Sequence, residues 1–422
     1  MAKLFSQISV IGEGSSPDSS ALARPTPLRN IVRRNKWRLR PLKRLVLPLR
    51  NGKRQAITLL RAVAPEITRF PRIEYSTQSY ARQNGACIAT EIHPAEPLNC
   101  APDPRKNGAS QPRAKVSEPA YVFELSDIDF WGRYGGSVIT TDNALLADLS
   151  PEVWGVENHP IFSRLVLPEP QRLLGCTAIA VTAEAPGNYY HWLIDLLPRL
   201  ALLKTVNGGW KSYSCVLING SGAHYERASL TALGLAANKI LYVDSNDRFR
   251  IDSTVIPSRD DSSKAIAPWK VRALRELRDT LPSGATESPR RFYISRRSAP
   301  VRRLINEEKL RPLLEENGFE ILELESHPWL EQVQLFSKAE VILAPHGAAL
   351  ANAAFCRPGT LIAEINARES FKSYLRLASA ASLRFRFIEA MPQIKTTRAI
   401  RARENEDLIV DPESIRDFLR EL

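Results

Sequence analysis

The chain has 422 residues, 44% hydrophobic and 25% charged, an ordinary globular composition with length for two or three domains. Its formal charge of +12 comes from one place: residues 24–62 hold 13 Lys and Arg without one Asp or Glu, and removing those 13 from 58 leaves 45 basic against 46 acidic residues. A neutral remainder argues against a nucleic-acid-binding core, the absence of a long apolar run argues against a transmembrane helix, and the five scattered cysteines form no CxxC pair.

Along the chain, residues 1–117 read as a Pro/Ser-rich and basic N-terminal region, largely irregular. "GEGSSPDSSALARPTP" and "HPAEPLNCAPDPRKNGASQPRAK" offer little apolar surface to bury. Between them, residues 24–62 interleave cations with Leu, Val, Ile and Trp37, a pattern suited to peripheral contact with an anionic membrane. No secretory leader pattern is visible, and the scattered cysteines fit a reducing compartment, so a cytoplasmic location is expected.

From residue 118, strand and helix patterns alternate. "YVFEL", "GSVITTDNALLAD", "CTAIAVTA", "SCVLING", "ILYVD" and "STVIPS" read as strands, with helices over 224–234 and 267–281. "LPSGATESPR" is the expected boundary between a first lobe, 118–283, and a second, 284–422. The second lobe alternates more cleanly: "RRFYISR", "FEILELE", "EVILAP", "TLIAEI" and "RFRFIEA" are strands. Helices fall between them, one stopped at Gly318 and the last capped at Asp411 or by Ser414. The spacing predicts an α/β chain with two Rossmann-like lobes facing a cleft.

The stretch "NYYHWLIDLLPRL" places His191, Asp195 and Arg199 on one helical arc and Leu193, Leu196, Leu197, Leu200 and Leu203 opposite. Pro198 has no N–H for the Ile194 carbonyl, so the helix kinks or begins there. A solvated polar face explains such an arc as readily as chemistry does. In the second lobe, three features follow strands, where doubly wound sheets bind ligands. "YISRRSAPVRRLINE" carries Ser295, Arg296, Arg297, Arg302 and Arg303, whose planar forks suit phosphate. "APHGAALAN" opens a helix with Gly347, Ala348 and Ala349 below His346, an anion-favouring start. "IAEI" sets Glu364 where a carboxylate can bond a ribose diol. A phosphate grip beside a diol grip suits a nucleotide.

Together "NYYHWLIDLLPRL", "YISRRSAPVRRLINEEKL", "GFEILELE" and "EQVQLFSKAEVILAPHGAALANAAFCRPGTLIAEI" resemble glycosyltransferase family 61, over roughly residues 118–422. The matching positions are Asn188, His191, Trp192, Asp195, Pro198 and Arg199, then Ser295, Arg296, Arg303, Asn306, Glu331, Gln332, His346, Gly347, Ala348, Asn352, Phe355, Gly359 and Glu364. The resemblance implies a GT-B-like fold and an inverting, metal-independent transfer from a nucleotide sugar, commonly a UDP-sugar, without a cofactor. It implies a glycan or lipid-linked acceptor in capsule, exopolysaccharide or lipopolysaccharide biosynthesis. On that reading Asp195 and His191 are the catalytic pair, either one the base. Asn188 and Arg199 lie on the acceptor side, Arg199 meeting the acceptor or the first-lobe core, and Ser295, Arg296, Arg303, Asn306, Gln332, His346, Gly347, Ala348, Asn352 and Glu364 hold the donor. Asp260 and Asp261 of "SRDDSS" are the nearest approach to a metal-binding acidic pair, and a polar turn explains them as well. The alternative to an enzyme is a nucleotide-sugar-binding or assembly protein that has lost turnover.

Overall fold

The computed structural model describes residues 71–85, 87–98, 115–150, 155–164, 167–182, 184–260, 265–282, 290–367, 372–393 and 405–422. The basic stretch 24–62, both Pro-rich segments in the main, Asp261 and the 283–289 connection lie outside them. The described residues belong to one compact unit.

The first half contains β1 (Arg72–Glu74), α1 (Thr77–Gln83), β2 (Cys87–His93), the short pair β3 (Pro97–Leu98) and β4 (Lys115–Val116), β5 (Ala120–Trp131), β6 (Ser137–Ile139) and β7 (Ala144–Leu146). It continues through β8 (Gln171–Ala180), α2 (Leu197–Thr205), β9 (Cys215–Ile218), α3 (His224–Ala232), β10 (Ile240–Tyr242), β11 (Arg248–Pro257) and α4 (Pro268–Asp279). Its sheet runs β1-β7-β6-β5-β11-β8-β9-β10, with β2 also on β5. The expected parallel sheet is corrected to a mixed one. β11, β8, β9 and β10 run parallel, as do β1 and β7 at the other edge; β5 is antiparallel to β11, β2 and β6, and β6 to β7. The 12 residues of β5 permit this, since β2 pairs with its first half and β6 with its last three residues.

The boundary expected at 117 also moves. Residues 72–93 fold into this sheet, with Ser76 Oγ capping α1 and Thr77 and Tyr80 buried beneath it. β1 is too short to show a period of two, and the Pro-rich composition downstream masks it.

The second half holds β12 (Arg291–Ile294), α5 (Glu307–Glu316), β13 (Glu320–Leu322), α6 (Trp329–Lys338), β14 (Val341–Pro345), a 3₁₀ segment (Ala348–Phe355), β15 (Leu361–Asn366), α7 (Ser373–Ala381), β16 (Arg384–Pro392), β17 (Leu408–Val410) and α8 (Pro412–Arg420). The strand order is β13-β12-β14-β15-β16-β17, parallel except for β17 at the edge. Every residue of β14 and β15 is buried, which is why β14 reads as a continuous apolar run and β15 as one broken only by Glu364 and Asn366. The chain leaves β12 for β13 on one side and returns to β14 on the other, so the direction of winding reverses beside β12. That switch point opens a crevice at the strands' carboxyl ends.

One apolar core spans both halves: Ala178, Leu193, Leu197 and Leu200 share it with Phe292, Phe336, Ile342 and Phe355. Polar bonds pin the same seam. Arg275 donates to the Ala381 carbonyl at 2.7 Å and Arg278 to that of Phe355 at 2.6 Å. The Tyr189 hydroxyl accepts from Trp329 Nε1 at 3.0 Å and donates to Asn352 Oδ1. Asn352 Nδ2 donates to Gln332 Oε1 at 3.0 Å, and Gln332 Nε2 to the carbonyls of Leu324 and His327.

Removing the Tyr189 hydroxyl strands two polar groups in this seam, and a buried unpaired group costs about 1–3 kcal/mol. Tyr189→Phe is therefore expected to lower the urea midpoint by that order of stability with an unchanged slope. An unshifted midpoint would mean that the two halves do not depend on this bond.

Candidate active site

The first cluster gathers where β8 and β11, parallel neighbours, end. Asn188 Oδ1 caps the Tyr190 N–H at 3.1 Å and starts a helix whose Trp192–Leu196 stretch winds as a π turn before α2 begins at Leu197. Pro198 lies in the first turn of α2, where its missing N–H is tolerated. Asn188 is exposed and acts as a cap.

On this helix His191 Nδ1 meets Asp195 Oδ2 at 2.6 Å. The other ring nitrogen, Nε2, lies 2.5 Å from Glu184 Oε2, on the loop leaving β8. Asp195 Oδ1 faces Lys270 Nζ at 3.5 Å, and that ammonium also pairs with Asp260, just past β11. Lys270 is 1% exposed; the outermost member, Glu184, is 50% exposed. The result is a row of alternating charge from the buried end outward: Asp260, Lys270, Asp195, His191, Glu184. Arg259 lies in the field of Asp195, Asp260 and Glu184, and its Nη1 is buried without a partner.

Burial alone would push the His191 imidazolium down, but hydrogen bonds to Asp195 and Glu184 outweigh it and raise it to about 9. Glu184 is lowered by the same contact.

Arg199, expected to meet either the acceptor or the first-lobe core, lies in the core. It is 3% exposed, and its guanidinium donates to the carbonyls of Val181 at 2.7 Å, Pro257 at 2.9 Å and Ser258 at 3.1 Å. Those are the ends of β8 and β11, so Arg199 fixes the loops that carry Glu184 and Asp260.

The second cluster sits at the switch point. Arg296, just past β12, donates to the carbonyls of Val301 at 3.0 Å and Arg302 at 3.3 Å. Its Nη1 comes so close to Gly347, just past β14, that a Cβ there would lie 2.1 Å away. Gly347 has extended backbone, so the residue is needed for space rather than for φ. Burial and neighbouring Arg302 both push Arg296 down, a cation crowded by a cation. His346 Nδ1 meets Glu364 Oε1 at 2.5 Å, and Tyr374 donates to the Gly347 carbonyl at 2.5 Å.

Several expected donor contacts are spent elsewhere. Glu364 is 1% exposed and its Oε1 also accepts from Asn366, so it orients His346 instead of reaching a ribose. Ser295 is buried on Glu307. Arg303 pairs with Asp407 at 2.8 Å, leaving Arg302 beside Arg296. Asn306 exchanges bonds with Val410, tying α5 to β17. Gln332 and Asn352 belong to the Tyr189 seam, not to an open pocket wall. Ala348 remains at the start of the 3₁₀ segment.

The two clusters are joined by a chain of rings packed edge to face or tilted. His191 lies 5.2 Å from Tyr190, Tyr190 5.9 Å from Tyr374, and Tyr374 5.0 Å from His346, centroid to centroid. Sequence reasoning missed Glu184, Arg259, Lys270, Tyr190 and Tyr374 as neighbours of the site. One signal was present for Lys270: it shares the apolar arc of α4 with Leu274 and Leu277, where a solvated lysine has no place.

His191 has a folded pKa above its unfolded value. Its contribution to stability is complete below pH 6.5 and is lost as pH rises through about 9. The stability gap between wild type and His191→Ala, measured by urea unfolding, is expected to be widest near pH 6 and to close by pH 10. A gap constant over that range would show that the imidazolium is not held by the two carboxylates.

Residues 189–363 match the Glycosyltransferase 61 family model, a span that takes in the His191–Asp195 pair, Lys270, Arg296, His346 and Gly347. No curated protein matches the chain. Over those residues the chain is similar to glycosyltransferase family 61, a likeness that supports a glycosyltransferase.

Proposed function

We propose that the protein transfers a sugar, with inversion, from a UDP-sugar to a hydroxyl of a glycan or lipid-linked acceptor in surface polysaccharide biosynthesis. The observation that supports this most is the His191 ring. Its Nδ1 is held by a nearly buried Asp195 while its Nε2 points to the half-exposed side. That is the geometry of an orienting carboxylate behind a general base.

His191 is accordingly the base and Asp195 its orienter, because both Asp195 oxygens are already engaged, by His191 and by Lys270. Nε2 takes the proton of the acceptor hydroxyl as its oxygen bonds to the anomeric carbon. The bond from that carbon to the diphosphate oxygen breaks. Arg296, Arg302 and the backbone N–H groups from Gly347 onward take up the charge of the leaving diphosphate without a metal ion. In this reading the two sheets act as the two lobes of a GT-B-like enzyme, the nucleotide over β12 and β14 and the acceptor over β8 and β11. The chain of rings from His191 to His346 links the two.

Two variants test the assignment separately. Arg296→Ala is expected to weaken UDP binding by roughly 1.5–3 kcal/mol, the range for a hydrogen bond to a charged group. His191→Ala is expected to lower turnover by about 10²–10⁴ while UDP binding persists. Unchanged UDP affinity by calorimetry in the first, or near-normal turnover in the second, sinks the corresponding role.

The cation-rich stretch 24–62 would hold the enzyme at the inner, anionic face of a membrane, near a lipid-linked acceptor. Deleting residues 1–65 should abolish co-sedimentation with phosphatidylserine-containing liposomes at low salt. Equal sedimentation with and without the stretch would dismiss this anchoring.

A further inference from the structure

The Glu184 carboxylate occupies the atom of His191 that the reaction needs. We propose that Glu184 is a cap on the base: it closes His191 Nε2 in the free enzyme, and an incoming acceptor hydroxyl must displace it before transfer begins. This rests on the reading of His191 as the base and adds a residue that decides when that base is available.

Three observations carry it. First, Glu184 Oε2 is 2.5 Å from Nε2, so no hydroxyl reaches that nitrogen while the contact stands. Second, the two carboxylates on the ring are unequally held. Asp195 has 15% of its side chain exposed and is backed by the buried Lys270, whereas Glu184 is 50% exposed on a loop. The outer contact is thus the one a ligand can replace. Third, the backbone on both sides of Glu184 is anchored without its carboxylate: Arg199 on the Val181 carbonyl, Asn219 on both backbone groups of Thr182, Ala185 buried in the core with its carbonyl on the Asn188 N–H, and Asn188 capping the helix. The loop can release Glu184 without unravelling β8 or the helix.

The charged groups facing His191 favour the closed state. Asp195 lies on its own helix, Glu184 on the loop after β8, Asp260 and Arg259 after β11, and Lys270 on α4; Arg376 of α7 lies across Tyr190. Asp260 and Lys270 neutralise each other, so Asp195 and Glu184 together hold a proton on the ring. A protonated imidazole cannot activate water, and the donor is protected from hydrolysis while it waits. When an acceptor oxygen takes the place of the carboxylate, Glu184 leaves still ionised, the ring loses the charge that held its second proton, and the Nε2 proton passes to bulk water. The freed lone pair then accepts the hydroxyl proton as the sugar carbon is attacked and the diphosphate leaves.

The test uses the full chain without acceptor, with UDP-glucose, UDP-galactose, UDP-N-acetylglucosamine and UDP-glucuronate as probes, reading UDP release against pH. Glu184→Gln and Glu184→Ala, both at a half-exposed position, are expected to bind UDP as wild type does. They should release UDP several-fold faster near pH 7, with the rising limb of the profile displaced downward by about one pH unit or more, the effect of losing one adjacent opposite charge. Release and limb unchanged in both variants would overturn the cap, and so would a loss of release, which would make Glu184 a participant in the chemistry. The double variant His191→Ala/Glu184→Gln separates the layers. Release returning to the wild-type level places the gain on His191, while a gain that survives without the imidazole refutes His191 as the base.

Discussion

A positive charge at 1% exposure governs the first half of this protein. The Lys270 ammonium cannot be left in an apolar core without counter-charges, since desolvating an ion costs several kcal/mol even after relaxation. Asp260 and Asp195 meet it from two different elements. Satisfying it therefore fixes three things at once: the seat of α4, the path of the chain beyond β11, and the rotation of the helix that carries Asp195. Once Asp195 is turned toward Lys270, its other oxygen can hold only a group one turn back, and that group is His191. The orientation of the imidazole is in this sense inherited from the need to bury an amine.

The second half repeats the device with different parts. His346 is held by buried Glu364 much as His191 is held by Asp195, and each histidine stands just beyond the end of a parallel strand or its following turn. Between them Tyr190 and Tyr374 pack edge to face, an arrangement that favours fixed ring angles over free rotation. Tyr374 also bonds the Gly347 carbonyl, the residue against which Arg296 lies. A displacement at either cluster thus meets rigid aromatic contacts rather than solvent before it reaches the other.

The sequence disclosed these features unequally. Buried parallel strands such as Val341–Pro345 were legible because both faces are apolar, and the end of α5 was legible because Gly318 takes a positive φ. The His191–Asp195 pair was legible because a helix brings residues four apart into contact. β1 and β2 were hidden by brevity and by the proline-rich composition after them. The antiparallel insertion of β5 beside β11 was hidden because pairing partners 100 residues or more apart leave no local period. Within the site, polar residue type was visible but its commitments were not: Arg199, Asn306, Gln332, Asn352 and Glu364 have the chemistry of ligand contacts, yet each already holds backbone or side-chain partners within the fold. Glu184 escaped notice for the converse reason, since nothing in its own loop hints at the imidazole it meets.

The π turn at Trp192–Leu196 has a bearing on how this chain tolerates change in length. Such a turn accommodates one residue more than the α-helical path between the same two ends. Omitting Trp192, Leu193 or Ile194 would close the stretch to an α-helical path between the same two ends, so Tyr189 and the leucines of α2 would keep their places. The spacing of His191 and Asp195 would fall from four residues to three, and the bond between His191 Nδ1 and Asp195 Oδ2 would have to be remade from different rotamers. At this point in the molecule the number of residues is as much a functional attribute as their identity.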